Sequence, residues 1–255
     1  MVNPHTGLNL LTVACSHRYD EIVENLLKHN ADVNLIIPYE TWILINQSYF
    51  NNKHAWSRDY GISLDGNSLL HKMIENKYDP ECIKMLLKLN FPVNILNRNG
   101  LTPLLLACKT YSANQLKTIE ILLQYNADVN SPDNNFMTPL HIGCGDENRK
   151  QLQTFSENGV DHFDINPEAV NKSGWTPLFV ACSFGDIAAV KCLLENHANP
   201  IVTDRDGETA LHFICASQSE TALQIIQLLL KHNANIEALN KSGWTPLFMA
   251  RRLTI

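Results

Sequence analysis

The stretch Lys-Ser-Gly-Trp-Thr-Pro-Leu-Phe occupies residues 172–179, and the same eight residues occupy 241–248. Eight identical residues in a row do not recur by chance, so the chain contains an internal repeat. The Thr-Pro-Leu core and its variants give seven copies, whose first residues are Asn9, Ser68, Thr102, Thr138, Thr176, Thr209 and Thr245.

Each copy begins with residues that favour a turn followed by a helix. Glycine two residues before the Thr position supports a tight turn with positive φ. Thr, Ser or Asn then caps a helix, and Pro suits the first helical position. Phe136 replaces the glycine in the fourth copy, which predicts a different turn there. The glycines are Gly7, Gly66, Gly100, Gly174, Gly207 and Gly243.

A second helix follows in each copy. Its apolar residues keep i, i+3, i+4 spacing, as in Ile119, Leu122 and Leu123, which predicts one buried stripe. The helix is predicted to end at Asn, Gly or His, residues that tolerate the left-handed conformation. The basic spacing is 21 residues from the Thr position to this end and 12 to the next copy, a period of 33. The predicted helix ends are Asn30, Asn90, Asn126, Gly159, His197 and Asn233.

This period and the segments 137–141 (Met-Thr-Pro-Leu-His) and 127–130 (Ala-Asp-Val-Asn) closely resemble ankyrin repeats. The resemblance covers nearly the whole chain and implies an all-α solenoid of stacked helix-turn-helix units with hairpin-like inter-repeat loops. Stacked repeats complete a shared core, so we expect a single domain, 1–255. The approximate repeats are 3–34, 62–94, 96–130, 132–161, 170–199, 203–235 and 239–255, the last of them incomplete.

Two segments depart from the pattern. Residues 35–61 form an insertion rich in aromatics, including Trp42 and Trp56. It either folds back and buries these side chains or provides a binding platform, and both interpretations stay open. The fourth repeat is degenerate, because Gly143-Cys144-Gly145 weakens its first helix and a long link follows, so we expect a soft point there.

Cysteine and histidine positions follow the repeat. Five cysteines lie six residues after the Thr position, where small apolar residues belong, so we interpret them as core residues rather than disulfide or metal ligands. The resemblance implies that His71, His141 and His212 join neighbouring repeats through hydrogen bonds. Segment 161–164 (Asp-His-Phe-Asp) is a weaker candidate for a metal site. The five cysteines are Cys15, Cys108, Cys144, Cys182 and Cys215.

Composition excludes several classes. The net charge of −6 and pI near 5.9 give no overall attraction to nucleic acid. The apolar runs are too short for membrane insertion, and the start lacks a signal peptide. Unpaired thiols favour a reducing, cytoplasmic, intracellular location. Since no catalytic, phosphate-binding or zinc-protease motif is present, we expect no enzyme activity and no cofactor or metal.

The resemblance also implies where a partner binds. Ankyrin arrays generally bind proteins in a concave groove, lined by positions four, three and one before the Thr position and seven and eight after it. Alternatively, each tryptophan there packs on the neighbouring hairpin. The candidate contacts are Trp175, Phe184, Trp244, Arg205, Asp206, Glu208, Arg98, Asn99, Lys109 and Thr110, with Trp42 and Trp56 of the insertion. The motif residues expected to be structural are Thr102, Pro103, Thr138, Pro139, His141, Thr176, Pro177, Thr209, His212, Thr245 and Pro246.

These observations predict a scaffold or adaptor that binds another protein and is monomeric by itself. The alternative is a targeting module of a larger enzyme, or of a secreted bacterial effector that is delivered to a host cell and acts on a host protein. Chain beyond Ile255 or a neighbouring secretion system would distinguish these two functions. An enzyme in its own right is a third class, which activity in the purified chain would support.

Overall fold

The computed structural model describes residues 11, 14, 19–29, 66–145, 151, 154, 165–217 and 219–252. Internal contacts divide the chain into two compact units, Met1–Asp128 and Val129–Ile255. The single domain 1–255 therefore stays a prediction. The insertion 35–61, with Trp42 and Trp56, and the segment 161–164 lie outside the described residues, as does Cys15.

Among its described residues, the first unit contains two successive helix pairs, and the helix Asp20–Lys28 precedes them. Helix α2 packs against α3, and α4 packs against α5. The first helices of the pairs, α2 and α4, also contact each other, as do α1 with α3 and α3 with α5. First and second helices thus form two layers. Their bounds are α1 Asp20–Lys28, α2 Leu69–Glu75, α3 Pro80–Lys88, α4 Pro103–Lys109 and α5 Gln115–Gln124.

The second unit repeats this arrangement. Helix α7 packs against α8 and α9 against α10, while α6, α7, α9 and α11 contact one another in order. Helices α8 and α10 form the second layer. Within the described residues no strand occurs, and the loops hold one isolated β-bridge, Thr203 with Thr209. The all-α class is confirmed. The bounds are α6 Pro139–Gly143, α7 Pro177–Phe184, α8 Ile187–Glu195, α9 Ala210–Cys215, α10 Ala222–Lys231 and α11 Pro246–Arg252.

Each first helix begins at a capping hydroxyl. The Thr102 side chain accepts a hydrogen bond from the Leu105 amide at 3.2 Å, which satisfies an N–H group that the helix leaves unpaired. Proline follows directly at Pro103, where its missing N–H has no cost. The same capping bond is formed by Ser68, Thr138, Thr176, Thr209 and Thr245. Proline follows the cap at Pro139, Pro177 and Pro246 as well.

Turns and helix ends use the left-handed conformation at the positions that the sequence predicts. Five described glycines of the motif have φ between 66° and 82°. Asn90, Asn126, His197 and Asn233 follow their second helices with φ between 59° and 66°. The expectation of a different turn at Phe136 is wrong, because Phe136 has φ of 60° and keeps the turn. Its amide donates to the Asp133 carbonyl at 2.8 Å, as the Gly100 amide donates to the Asn97 carbonyl at 3.1 Å.

Cysteines of the repeat register lie in or beside the core. Cys108, Cys144 and Cys182 are buried, whereas Cys215 is half-buried. The described cysteines are all free thiols, which agrees with their interpretation as small core residues. In the fourth repeat the first helix ends at Gly143 after five residues, in keeping with the glycine-weakened sequence.

Candidate functional site

Three histidines each join one repeat to the repeat that follows it. Nε2 of His71 lies 2.9 Å from the Leu101 carbonyl oxygen, and Nε2 of His212 lies 3.0 Å from that of Trp244. His141 forms the same link within the second unit. Each imidazole also contacts its own capping Ser or Thr through Nδ1. These buried side chains therefore hold a loop and a helix together. Both ring nitrogens of each imidazole have hydrogen-bond partners within the protein, so these histidines are structural.

The loops between repeats share one hydrogen-bonded turn. In the first unit, Oδ1 of Asn97 accepts bonds from the amides of Asn99 and Leu101 at 3.0 and 2.9 Å. A carboxylate or amide oxygen at this position organises the loop locally, as Asx turns do. Asp133, Asn171, Asp204 and Asn240 accept the same pair of bonds in the second unit. The loop side chains thus project from a fixed backbone.

Trp175 lies in an aromatic cluster. Its ring stacks on Phe179 with centroids 5.0 Å apart and meets the edge of Phe213 at 5.7 Å. Phe179 and Phe213 are themselves 5.3 Å apart. The tryptophan is half-buried, and its carbonyl accepts the bond from His141. Its contacts are those of a half-buried packing residue.

Phe184 differs sharply from Phe179 on the same helix. It is the last residue of α7, and 60% of it is exposed. Among the described residues its ring forms no aromatic pair. Arg205 and Asp206 are exposed in the turn of the loop that follows α8. The second unit thus exposes an apolar ring, a basic side chain and an acidic side chain to solvent.

Glu208 and Trp244 complete this part of the second unit. Glu208 is half-buried, and its Oε1 accepts a bond from Asn240 Nδ2 at 3.2 Å. The Trp244 ring lies 5.4 Å from Phe248 and is also half-buried. We call the set Trp175, Phe184, Arg205, Asp206, Glu208 and Trp244 the groove surface.

The candidates in the first unit are polar. Arg98, Asn99 and Lys109 are exposed, and Thr110 is half-buried. The Thr110 hydroxyl donates to the Leu106 carbonyl at 2.7 Å, which closes the end of α4. These residues offer hydrogen bonds and charge but no apolar anchor.

Burial alters the ionisation of several groups. Burial lowers the pKa of His71 and His141, although the carbonyl bonds to Leu101 and Trp175 oppose this shift. Burial raises the pKa of Cys182 to about 12 and raises that of Cys108 as well. A thiol that stays protonated is neither a nucleophile nor a metal ligand.

The described ranges contain no group of three His, Cys, Asp or Glu side chains arranged to hold a metal ion. Nor does any helix in these ranges combine the length and apolarity needed to cross a bilayer.

Two features of the second unit were missed by the sequence interpretation. Phe213 completes the cluster around Trp175, and its aromatic character at the fourth position after Thr209 was a usable signal. Phe136 is exposed on its loop, and an aromatic residue at a glycine position was the signal there.

Comparisons with known protein families place the chain among repeat proteins. The profile described as "Ankyrin repeats (3 copies)" matches residues 42–133, 70–166, 113–204 and 183–253. The profile described as "Ankyrin repeat" matches residues 6–36. These ranges together extend over most of the chain.

Among curated proteins, the human neurogenic locus notch homolog protein 4 is 39% identical over 84 residues, 32% of this chain and 4% of that protein. The ankyrin repeat, SAM and basic leucine zipper domain-containing protein 1 of Mustela putorius furo is 33% identical over 90 residues, 34% of this chain and 19% of that protein. The chain therefore spans less than a fifth of the length of these two relatives.

Solved structures show the same fold. The ankyrin repeat domain of Bcl-3 superposes with a TM-score of 0.70 at 20% identity, covering 96% of this chain and 95% of that one. An ankyrin repeat domain from Acinetobacter baumannii gives 0.64 at 28% identity, covering 72% and 90% respectively.

Proposed function

This chain belongs to the ankyrin-repeat family, and we propose that it is a scaffold or adaptor that binds another protein through the groove surface. Ankyrin repeats are in general protein–protein interaction modules. The observation that carries the proposal is Phe184, a largely exposed ring at the end of a helix whose other phenylalanine is buried. An exposed aromatic on a rigid support is typical of a binding anchor.

Rigidity supports the same function. The loop backbone is held by the Asx turns, and the loop of Trp175 is held by the imidazole of His141. Little backbone ordering is then required on association, so less of the interaction energy is lost to entropy. Arg205 and Asp206 of the same unit add exposed charged groups, as in interfaces that have an apolar centre and a charged rim.

The structure favours Phe184→Ala as the test, because loss of the stacked Trp175 ring would disturb the fold. A pull-down from cell extract with mass spectrometry should lose one specific protein with Phe184→Ala. Leu239→Ala is the matched control, since Leu239 is exposed on a loop outside the groove positions. Retention of the same proteins by both variants, with unchanged thermal unfolding, would contradict binding through this surface.

A second candidate is a recognition module within a larger protein, such as a larger enzyme or a secreted effector. It is favoured by the small share of the relatives' length that the chain spans. An immunoblot of the source cells tests it. A native product well above 28.8 kDa supports the larger protein, and a product of that mass contradicts it. A product of 28.8 kDa favours an adaptor that acts alone.

A further inference from the structure

Phe136 occupies a position that glycine holds in the other described loops, yet it keeps the glycine conformation. Its φ is 60°, against 70° for Gly100 and 82° for Gly174. The turn is fixed by Asp133, whose Oδ1 accepts a bond from the Met137 amide at 2.9 Å. A bulky side chain is therefore held in a region where its Cβ is crowded by the backbone.

In the second unit the next loop also approaches this position closely. A Cβ placed on Gly207 would lie 3.1 Å from the Lys241 amide nitrogen of the next loop, so the glycine permits close approach. The loop after Phe136 approaches in the same manner, because the Lys172 amide donates to the Asn135 carbonyl at 3.0 Å. Phenylalanine thus departs from both requirements of this position.

Burial does not offset this strain. Phe136 is 54% exposed, and in the described part of the chain its ring forms no aromatic pair. Phe179, by contrast, is buried against two other rings. A strained side chain that is also largely solvated is retained for function rather than for stability.

We propose that Phe136 and Lys172 form a second contact point for the partner, which presents an apolar side chain beside an acidic one. The inference rests on the proposed function and names the partner's chemistry. Nζ of Lys172 donates to Oδ1 of Asn135, the residue before Phe136, at 3.3 Å, so the ammonium lies beside the loop of Phe136. The Asp133 carboxylate is buried in its turn, so Lys172 is the exposed charge of segments 133–137 and 171–175. The apolar side chain packs on the ring, and the acid pairs with the ammonium.

The first test needs no partner. Phe136→Gly removes the strain and should raise the melting temperature by about 2–4 °C, whereas Phe136→Asn, which tolerates positive φ, should raise it less. A lower melting temperature for Phe136→Gly would show that the ring stabilises the fold and would overturn the proposal.

The second test uses random peptides displayed on phage and selected on the full chain. Selected peptides should pair an apolar residue with an acid, bind Phe136→Gly about ten-fold more weakly or worse, and bind Leu239→Ala unchanged. Lys172→Glu should remove the preference for acid. Peptides that Phe184→Ala loses but Phe136→Gly binds as wild type overturn this inference and leave the groove surface standing. No enrichment on the wild-type chain would overturn both.

Discussion

Nε2 of His141 lies 3.0 Å from the carbonyl oxygen of Trp175, 34 residues further along the chain. Nδ1 of the same ring accepts a bond from the Thr138 amide at 3.2 Å, so the network places the proton on Nε2, which donates to the carbonyl. One imidazole therefore ties the start of α6 to the loop of the next repeat. Stacking of repeats is thus specified by hydrogen bonds as well as by apolar contact.

His141→Leu should lower the free energy of unfolding by about 1–3 kcal/mol, because it leaves the Trp175 carbonyl and the Thr138 amide without a buried partner. Leu is a fair replacement, since Leu105 holds the same position in the third repeat. Urea unfolding followed by circular dichroism measures the loss. An unchanged midpoint would contradict the role of the histidine as a tie between repeats.

Acid should destabilise the fold through His71 and His141. Burial holds their pKa below 6.5 in the folded chain, so the unfolded chain binds protons first as the pH falls. Their contribution is complete above pH 6.5 and declines below it towards the lower folded pKa. Urea midpoints at neutral pH and near pH 5.5 should differ less for His141→Leu than for wild type. If the urea midpoint shifted equally with pH in both proteins, His141 would not be a source of the pH dependence.

Trp175→Ala should lower the free energy of unfolding by about 2–3 kcal/mol, less than the loss of a fully buried tryptophan, because Trp175 is half-buried. Phe184→Ala should stay within about 0.5 kcal/mol, as surface substitutions do. Thermal and urea unfolding of both variants test this difference. A similar loss at both sites would mean that Phe184 is a packing residue and would weaken its assignment as an anchor.

Gly207→Ala and Gly243→Ala separate two costs of replacing a loop glycine. Both residues have positive φ, at 75° and 74°, so both variants should lose about 1 kcal/mol. Only Gly207 is also crowded, with Lys241 N 3.1 Å from its added Cβ, whereas nothing lies within 4 Å at Gly243. Gly207→Ala should therefore lose more, roughly 2 kcal/mol in all. Equal urea midpoints would show that the loops separate at little cost.

Buried thiols should resist modification. Native protein treated with iodoacetamide at mildly alkaline pH should be labelled at Cys192 and Cys215, which are half-buried, before Cys108 and Cys182. The pKa of Cys182, raised to about 12, leaves almost no thiolate under these conditions. Peptide mass spectrometry measures the order, and unfolded protein is the control in which all label alike. Early labelling of Cys182 would contradict its place in the core.

Local features were predictable because their causes are local. Thr102 caps a helix and Pro103 opens it through chemistry contained within a few residues. The error at Phe136 shows the limit of such reasoning. The usual glycine at this position predicted that phenylalanine would change the turn. The hydrogen bonds that Asp133 and Asn135 accept instead keep the backbone in the glycine conformation despite the phenylalanine side chain.

The contacts within the candidate site were harder to predict from the sequence. The resemblance to ankyrin repeats predicted that Trp175 and Phe184 contact a partner, and it left open whether the tryptophan packs on its own array. In the structure, Phe213 of the following repeat packs against the Trp175 ring. Phe213 is more than thirty residues away from Trp175 in sequence, so the residues around Trp175 could not identify it, and only its own position in the repeat register pointed to it.

The two identical octets separate what the sequence determined from what tertiary structure decided. The sequence determined the local conformation of both, since each has the same glycine turn, capping threonine and proline-led helix. Burial was decided by the neighbours alone. Leu178 and Phe179 are 1% and 2% exposed beneath the following repeat, whereas Leu247 and Phe248 are 71% and 51% exposed. Dihedral preferences act within a few residues, but apolar burial depends on which surface arrives from elsewhere in the chain.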